Sequence, residues 1–447
     1  MKVLIITTYF APDTAMAAVR PYMFAKYLSL AGHDVTVVRS GEILQFIDEN
    51  FNCEQYGVRV ISYLGENSEA ELFKKGKLSD KHIIGNKSRI SFLPVKIRKT
   101  ISKLYHSVFK VFEYKKEEKK SLNYLRSIEA TLNELKNENF DIVFSTYGRL
   151  DNVFAGKVAS DILNCPWILD LRDRIAHDKG LIVGAMQRKI EKKYCSLADS
   201  CVTVSKSYYE DIKRKYKDAN PNLIYNGYEK RDECVTISEK NKRLVFCYTG
   251  SMYTGALTVD KLFKALSFLS SRKEINLDDI EFLYAGKEFE YIINQAEKHN
   301  VQSIMKDMGY LNREQIYNLQ TSSDVYVVAA RNIKHHFDEI PGKIYEGIRA
   351  NRPILTLVAG NAQNGELKYL DDKFHYGYCY EEGGGQASFD GLCDYLVKLY
   401  NTSSITRLVP FNSGDELKNY FEYSQLTSQV EKLMINTIER WKHNAGK

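Results

Sequence analysis

The sequence predicts an α/β protein built from two consecutive, doubly wound domains. Short runs rich in β-branched residues alternate with helix-like segments, which is the pattern of a parallel sheet. This alternation restarts once, after Pro221. A length of 447 residues with 44% hydrophobic residues suits two large cores of this class.

The predicted strands fall into two groups of six. Those of the first group cover residues 3–8, 34–38, 58–62, 141–145, 166–170 and 201–205. Those of the second group cover residues 223–225, 244–249, 280–285, 324–329, 353–358 and 376–380. We therefore expect one domain at 1–205 and another at 222–400. A helix at 424–441, apolar on one face, is expected to return to the first domain.

The composition excludes several classes of protein. With 27% charged residues, 8 prolines and no low-complexity tract, the chain is neither disordered nor collagenous. It contains no apolar run of about 18 residues, the length that a membrane-spanning helix needs. Its 8 cysteines include no C-x-x-C motif, which predicts reduced core thiols in a cytoplasmic protein.

One segment carries most of the positive charge. Residues 86–120 contain eleven Lys or Arg and three Glu, a net charge of +8 in a chain whose total is +6. Apolar residues alternate with these charges at helical spacing, which indicates a basic amphipathic helix. Such a helix can lie on an anionic membrane, or it can pack its apolar side on the domain. Both interpretations stay open, whereas no nucleic-acid-binding module accompanies the charge.

The loop after the first strand argues against a dinucleotide cofactor. Residues 9–18 contain no glycine, although a pyrophosphate held against this turn requires several. Small residues at the helix start, Ala15 and Ala17, with Arg20 behind them, can instead admit a substrate close to backbone amides, and we expect all three on the acceptor side. A plain turn remains the alternative.

Two loops of the second domain are suited to bind an anion. The loop 249–255 follows a strand and offers Gly250, Ser251 and Gly255, whose N–H groups can cradle phosphate oxygens. In the second loop, Gly342 opens a helix and Lys343 adds a positive charge at the same end. Further along, Glu346 suits a vicinal diol such as that of ribose.

The preceding residues of the second loop add carboxylates. Asp338 and Glu339 can accept hydrogen bonds from sugar hydroxyls, with a solvated helix start as the alternative role. No compelling D-x-D pair is present, so no metal site is predicted. For Asp170 and Asp173 a structural link to Arg172 is the favoured role.

Seven segments in order carry a resemblance to a known family. They are YFAPDTA with RPY at 9–22, GHDVTV at 32–37, PWILDLRD at 166–173, AD with VTVS at 198–205, YNGY at 225–228, YTGS at 248–251 and the helix segment 341–353. The sequence resembles a GT-B glycosyltransferase of the retaining family 4 type, the group 1 glycosyltransferases of bacterial surface polysaccharide synthesis. The resemblance covers nearly the whole chain and implies two Rossmann-like domains facing across a cleft.

The resemblance implies a division of labour between the domains. The second would bind a nucleotide-sugar donor and the first an acceptor. We expect Arg149 or Asp173 to lie close to the acceptor. The family uses two carboxylates eight positions apart, and Glu346 matches the later, ribose-binding one. The earlier one falls on Asp338, with Glu339 beside it.

The chain departs from the family pattern in the residues that would bind the diphosphate of the donor. The family often has an Arg and a Lys in the loop that corresponds to 249–255, and this chain has neither. Lys343, Arg331 or Lys261 would then supply the charge, and we place Lys343 with Asp338 and Glu339 at the catalytic centre. No cofactor is expected, because the nucleotide sugar is a co-substrate.

These features predict a glycosyltransferase that acts on a glycan or lipid-linked acceptor with retention at the anomeric carbon. Its expected setting is the synthesis of capsule, O-antigen or exopolysaccharide, in the cytoplasm or at the inner membrane face. Two alternatives stay open. One is a non-catalytic scaffold that binds sugar nucleotides, and the other is an unattached enzyme that makes a small glycoside.

Overall fold

A computed structural model describes residues 1–41, 47–48, 51–63, 95–177, 180–230, 243–252, 257–332, 340–405, 411 and 414–445. Within these ranges, only the backbone is described at 95–109, 181, 404–405 and 445. The predicted site residues Gly255, Asp338 and Glu339 lie outside the described residues, as does the start of the basic segment, 86–94.

The chain divides into two compact units. The first comprises Met1–Val204, Tyr208–Tyr225 and Leu426–Lys447, and the second comprises Ser205–Ser207 and Asn226–Gln425. Each unit contains one sheet in which every described strand pair is parallel. The predicted fold class, two doubly wound α/β domains, is therefore confirmed.

The sheet of the first unit has the strand order β3-β2-β1-β4-β5-β6-β7. Its strands are β1 Lys2–Thr7, β2 Asp34–Arg39, β3 Arg59–Ser62, β4 Ile142–Thr146, β5 Trp167–Leu171, β6 Ser200–Thr203 and β7 Pro221–Leu223. The central strands β4 and β5 are buried along their whole length, as expected of a parallel sheet covered on both faces.

Helices flank this sheet. They are α1 Met16–Leu30, α2 Val95–Glu134, α3 Leu150–Leu163, α4 Leu181–Leu197 and α5 Lys206–Lys215, whose first two residues cluster with the second unit.

The sheet of the second unit has the strand order β10-β9-β8-β11-β12-β13. Its strands are β8 Leu244–Thr249, β9 Ile280–Ala285, β10 Met305–Gly309, β11 Val325–Arg331, β12 Ile354–Ala359 and β13 Gly377–Glu381. Strand β8, with the sequence LVFCYT, is buried at every position and runs through the core.

The helices of this unit are α6 Asp260–Ser271, α7 Phe289–Glu297, α8 Arg313–Ser322, α9 Gly342–Ala350, α10 Glu366–Phe374, α11 Gly385–Ile405 and α12 Gly414–Phe421. Helix α8 begins with a capping box, in which the Asn312 side chain accepts from the Gln315 N–H and the Gln315 side chain accepts from the Asn312 N–H. The last helix, α13, spans Tyr423–Ala445.

Two details of the predicted strand pattern were wrong. The run predicted at 223–225 was counted with the second domain, but β7 pairs with β6 at the edge of the first sheet. Strand β10 was not predicted, because its sequence, MKDMG, lacks a β-branched run and lies half exposed at a sheet edge.

Helix α13 packs most of its length on the first unit. Its buried face is formed by Leu426, Val430, Leu433, Met434 and Ile438. Polar contacts also hold it there: the Thr437 and Ser200 hydroxyls lie 2.9 Å apart, and Arg440 donates to the same serine over 2.8 Å. The first unit is therefore built from both ends of the described chain.

The basic segment belongs to helix α2, which is much longer than the segment itself. Ile128 and Leu132 are fully buried in the core of the first unit, so the end of the helix packs on the domain. Phe112, by contrast, is 66% exposed, and lysines 110, 115, 116, 119 and 120 around it are exposed as well. Within the described part of the chain, every helix is too short or too polar to cross a lipid bilayer.

The cysteines match the expectation of core thiols. All seven in the described ranges are buried and free of disulfides.

Candidate functional site

The middle of the second sheet is its topological switch point. Strand β8 leads to strands on one side of the sheet, and β11 leads to strands on the other side. The carboxyl ends of two such strands leave a crevice in which doubly wound sheets bind ligands. Gly250 follows β8, and the helix that carries Lys343 follows β11.

The structure brings Gly250 and Lys343 together. A β-carbon placed on Gly250 would lie 2.9 Å from Lys343 Nζ. Gly250 also has φ +95°, a conformation that L side chains rarely adopt. The glycine therefore allows the Lys343 ammonium to lie close to the backbone of the loop. The same ammonium lies 5.5 Å from the centre of the Tyr248 ring.

The backbone at Gly250 is held on both sides. Its N–H donates to Ala285 O over 2.7 Å, and its carbonyl lies 3.2 Å from the Tyr284 hydroxyl. Burial raises the pKa of Tyr284 to about 12, so this phenol stays a donor. The Glu288 carboxylate accepts from the Tyr284 hydroxyl over 3.0 Å and from Met252 N–H over 3.2 Å. The loop is thus tied to the end of β9.

Glu346 lies in a network of buried polar groups. Tyr326 donates its hydroxyl to Glu346 Oε2 over 3.0 Å, and Gln320 Nε2 donates to the same oxygen over 2.9 Å. Thr249 Oγ1 lies 3.0 Å from both donors. Burial raises the pKa of Tyr326 well above its ordinary value, so its hydroxyl keeps its proton. The carboxylate is therefore held in one orientation through one of its two oxygens.

The other predicted cations are placed differently. Lys261 Nζ lies 3.1 Å from Glu382 Oε1, which neutralises its charge. Arg331 is exposed at the last position of β11, and Ser251 is exposed after β8. Of the three cations considered for the diphosphate, Lys343 is the one that the structure places against Gly250. Gly342 is the first residue of α9, whose N-terminal N–H groups add partial positive charge.

Arg20 forms a buried ion pair in the first unit. The guanidinium donates to both oxygens of Asp170, with distances of 2.9 to 3.2 Å. The two side chains are 2% and 0% exposed. Arg20 also donates to the carbonyl of Tyr225 over 2.7 Å and to that of Ile224 over 3.1 Å. These contacts favour a structural role for Arg20 over the predicted contact with the acceptor, and they identify it, not Arg172, as the partner of Asp170.

Arg149 and Asp173 have contrasting environments. Arg149 binds the fully buried carboxylate of Asp151 through Nε over 3.1 Å and through Nη2 over 2.9 Å. Its guanidinium lies 4.3 Å from the centre of the Tyr124 ring. The Asp173 side chain is 74% exposed, with one oxygen 3.8 Å from Arg172 Nε.

Ala15 and Ala17 lie at the start of α1, as predicted. Ala15 is the N-cap residue, and its N–H donates to Asp13 Oδ1 over 3.0 Å. The Ala17 carbonyl accepts from Nη1 of Arg172, a residue that was predicted to have only a structural role. A sequence signal for Arg172 did exist, because this arginine directly follows the buried strand β5 at the ligand-binding edge of the sheet.

No metal centre is apparent where the chain is described, since no three His, Cys, Asp or Glu side chains there are grouped to hold an ion. No protein-family model matches the sequence. No curated protein matches it either.

Solved structures with the same fold were found. The chain is similar to HepE from Anabaena in complex with UDP, with 12% identity, 98% of this chain and 100% of HepE covered, and a TM-score of 0.59. It is similar to sucrose-phosphate synthase from Thermosynechococcus elongatus, with 11% identity, 98% and 100% covered, and a TM-score of 0.60. It is also similar to the apo form of WaaB, a lipopolysaccharide outer core galactosyltransferase. The identity is 11%, 98% of this chain and 99% of WaaB are covered, and the TM-score is 0.57. The chain therefore has the GT-B fold, with two Rossmann-like domains.

Proposed function

We propose that this protein is a glycosyltransferase that moves a sugar from a nucleotide-sugar donor to a glycan or lipid-linked acceptor. The observation that carries the proposal is the cluster at the switch point of the second sheet. There, the second unit brings together the cation of Lys343, a glycine at position 250 that leaves room for it, and the oriented carboxylate of Glu346.

The cluster suits the chemistry of a nucleotide sugar. Breaking the bond between sugar and diphosphate leaves growing negative charge on the diphosphate, while the sugar becomes oxocarbenium-like. Lys343 and the N–H groups at the start of α9 provide positive charge where the diphosphate would lie. Glu346 offers its second oxygen to the ribose diol. Asp338 and Glu339 are the proposed partners of the transferred sugar.

The structural neighbours indicate which donor to test first. HepE was solved with UDP and with UDP-glucose, at TM-scores of 0.59 and 0.55. A uridine diphosphate sugar is therefore the first candidate. Retention at the anomeric carbon is proposed from the resemblance in sequence to family 4.

Thermal shift against UDP, GDP, ADP, CMP and their common sugar conjugates tests the proposal. A ligand at 100 times its dissociation constant stabilises by about 2.7 kcal/mol, which is a measurable shift. The melting temperature of the wild-type protein should rise with the nucleotides of one base. The rise should be smaller in Lys343→Ala and in Glu346→Ala. Lys261→Ala is the matched control, because the charge of Lys261 is compensated by Glu382.

The non-catalytic scaffold is the competing proposal. Because a scaffold would also bind the donor, binding alone does not separate the two. Slow hydrolysis of the bound donor without acceptor, lost in Lys343→Ala, would identify the transferase. Normal donor binding by both Lys343→Ala and Glu346→Ala would overturn the residue assignments.

We further propose that α2 attaches the protein to an anionic membrane surface, where a lipid-linked acceptor would lie. Support comes from the exposed Phe112 and the exposed lysines around it. Each lysine near such a surface contributes about 1 kcal/mol. Flotation with vesicles containing phosphatidylglycerol should capture the protein at low salt and release it at high salt. Equal behaviour of wild type and a Lys115→Glu/Lys116→Glu variant would contradict attachment through α2.

A further inference from the structure

We propose that the switch point of the first sheet holds a second anion site, formed around Arg172, that binds a phosphate or diphosphate group of the acceptor. The existence of an anion site is argued from this unit alone. The identification of the bound group as part of the acceptor rests on the proposed function.

Arg172 lies beside the ends of β4 and β5 and the first turn of α1. It follows β5, its Nε donates to the carbonyl of Tyr147 after β4 over 2.8 Å, and its Nη1 donates to the carbonyl of Ala17 in α1. Strands β1 and β4 flank the switch point of this sheet, since the chain continues to opposite sides from them. The guanidinium is thus fixed by backbone carbonyls at the edge where such sheets bind ligands.

A glycine leaves room for the guanidinium. A β-carbon on Gly148 would lie 2.7 Å from Arg172 Nη2 and 3.3 Å from two atoms of the Tyr9 ring. The centre of the same ring lies 5.8 Å from the guanidinium carbon. Arg172 is therefore packed on two sides and presents a defined set of donors.

Among the described residues, Arg172 lacks the buried carboxylate partner that neutralises each of the neighbouring arginines. Arg20 and Arg149 each bind a carboxylate whose side chain is 0% exposed. Within the described chain, the carboxylate within ion-pair distance of Arg172 is that of Asp173, 3.8 Å from Nε and 74% exposed. Buried ions are strongly stabilised by a closely bound partner, and here carbonyl dipoles are the main substitute.

One edge of the guanidinium is left for a ligand. Nη2 has no hydrogen-bond partner among the described residues, whereas Nε and Nη1 are occupied. The side chain keeps 11% of its surface exposed. Burial lowers the pKa of Arg172, because desolvation penalises the charged form. An anion with several oxygens would offset that cost and accept from Nη2.

Calorimetry with inorganic diphosphate tests the site. The titration uses Lys343→Ala protein, so that the charge at the donor site of the second unit is absent. This protein should bind diphosphate, and adding Arg172→Gln should weaken binding by at least about tenfold. Arg174→Gln in the same background is the control. Arg174 is a nearby arginine whose charge is compensated by Asp211 at 2.8 Å, so this change should leave binding unaltered.

Each outcome decides the proposal. Absence of diphosphate binding to Lys343→Ala protein, or equal binding after Arg172→Gln, overturns it. If Arg172→Gln fails to fold, Arg172→Lys decides instead, because lysine keeps the charge without the fork of N–H groups. Weaker binding by this variant supports the site, and unchanged binding overturns it.

A UDP titration separates the two sources of the anion. With Lys343 intact, Arg172→Gln should bind UDP as wild type does, which assigns the anion to the acceptor. Loss of UDP binding in this variant would assign the site to the donor and overturn the acceptor assignment. Failure of wild type to bind any nucleotide would overturn the proposed function while leaving the diphosphate result standing.

Discussion

Tyr326 donates its phenol to Glu346 over 3.0 Å from a fully buried position in the second strand of the switch point, β11. Gln320 donates to the same oxygen, Oε2. Neither donor contacts Oε1, so these two hydrogen bonds fix one oxygen of the carboxylate and leave the other available. In the proposed function, Glu346 acts as a preorganised acceptor for the ribose hydroxyl groups.

Replacing the phenol should reduce recognition of ribose. Tyr326→Phe removes one hydrogen bond to a charged group, worth about 1.5 to 3 kcal/mol, and leaves Gln320 as the remaining donor, so the carboxylate is oriented less firmly. We expect about tenfold weaker UDP binding. We also expect a smaller preference for UDP over 2′-deoxy-UDP than in wild type. Calorimetry with both nucleotides measures this ratio.

The matched control is Tyr400→Phe, which deletes a phenol that donates to Asp279 over 2.7 Å at the surface. Its nucleotide preference should equal that of wild type. An unchanged UDP to 2′-deoxy-UDP ratio in Tyr326→Phe would refute the orienting role, even if overall affinity fell.

A second prediction concerns Gly250. In Gly250→Ala the new methyl group meets Lys343 Nζ at 2.9 Å and the backbone is strained at φ +95°. Gly309→Ala, at φ +67° with nothing within 4 Å, shares the strain without the contact. Both variants should lose about 1 to 2 kcal/mol of stability. UDP binding should weaken in Gly250→Ala alone, and equal nucleotide affinity in the two variants would count against the assignment of this loop.

The third prediction concerns Arg20 and Asp170. Asp170→Asn leaves a buried cation without its carboxylate and should destabilise the first unit by about 3 to 5 kcal/mol. Arg59→Met is the comparison, because it breaks an ion pair with Glu138 in which the Arg59 side chain is 54% exposed. This change should lower the free energy of unfolding by less than about 1 kcal/mol. Urea unfolding followed by tryptophan fluorescence reports on this unit, which contains Trp167. Similar losses of unfolding free energy in the two variants would show that the buried ion pair stabilises the unit no more than the exposed one.

The fourth prediction is a pH dependence that originates at Asp371. Burial raises the pKa of this carboxyl from its ordinary value of 3.8 to about 6. Between these values the folded state holds a proton that the unfolded state has lost, so the free energy of unfolding falls as pH rises. The fall should total about 3 kcal/mol and end above pH 6.

Asp371→Asn should remove this dependence, because an amide does not titrate and its oxygen can still accept from Cys379 N–H. Asp372→Asn, at the neighbouring position with a 61% exposed side chain, should keep it. Melting temperatures by circular dichroism from pH 4 to 7.5 compare the three proteins. Parallel curves for wild type and Asp371→Asn would exclude Asp371 as the origin.

The strand pattern predicted most of the fold because buried parallel strands have a strong local signature. Strand β8, with six buried positions, is such a case. Edge strands lack that signature: β7 begins with a proline, and β10 carries exposed charged residues at two successive positions, Lys306 and Asp307. Which sheet an edge strand joins is decided by tertiary pairing, which a local pattern does not contain.

The candidate site was predictable only in part, for a similar reason. The helix start at Gly342 and the carboxylate at Glu346 are visible as a local motif. The choice among Lys343, Lys261 and Arg331 depends on distances between separate loops. The hydrogen bond from Tyr326 joins residues twenty positions apart. Asp338 and Glu339 remain predictions.

The return of α13 to the first unit has a consequence for biosynthesis. Residues 226–425 are an insertion between parts of one folding unit, so a ribosome completes the second unit before the first has its last helix. Until then, the surface that receives Val430 and Met434, both fully buried in the finished protein, is open to solvent. A nascent chain of this protein therefore carries an uncovered apolar surface while residues 226–425 are being made, and chaperones that act during translation bind surfaces of this kind.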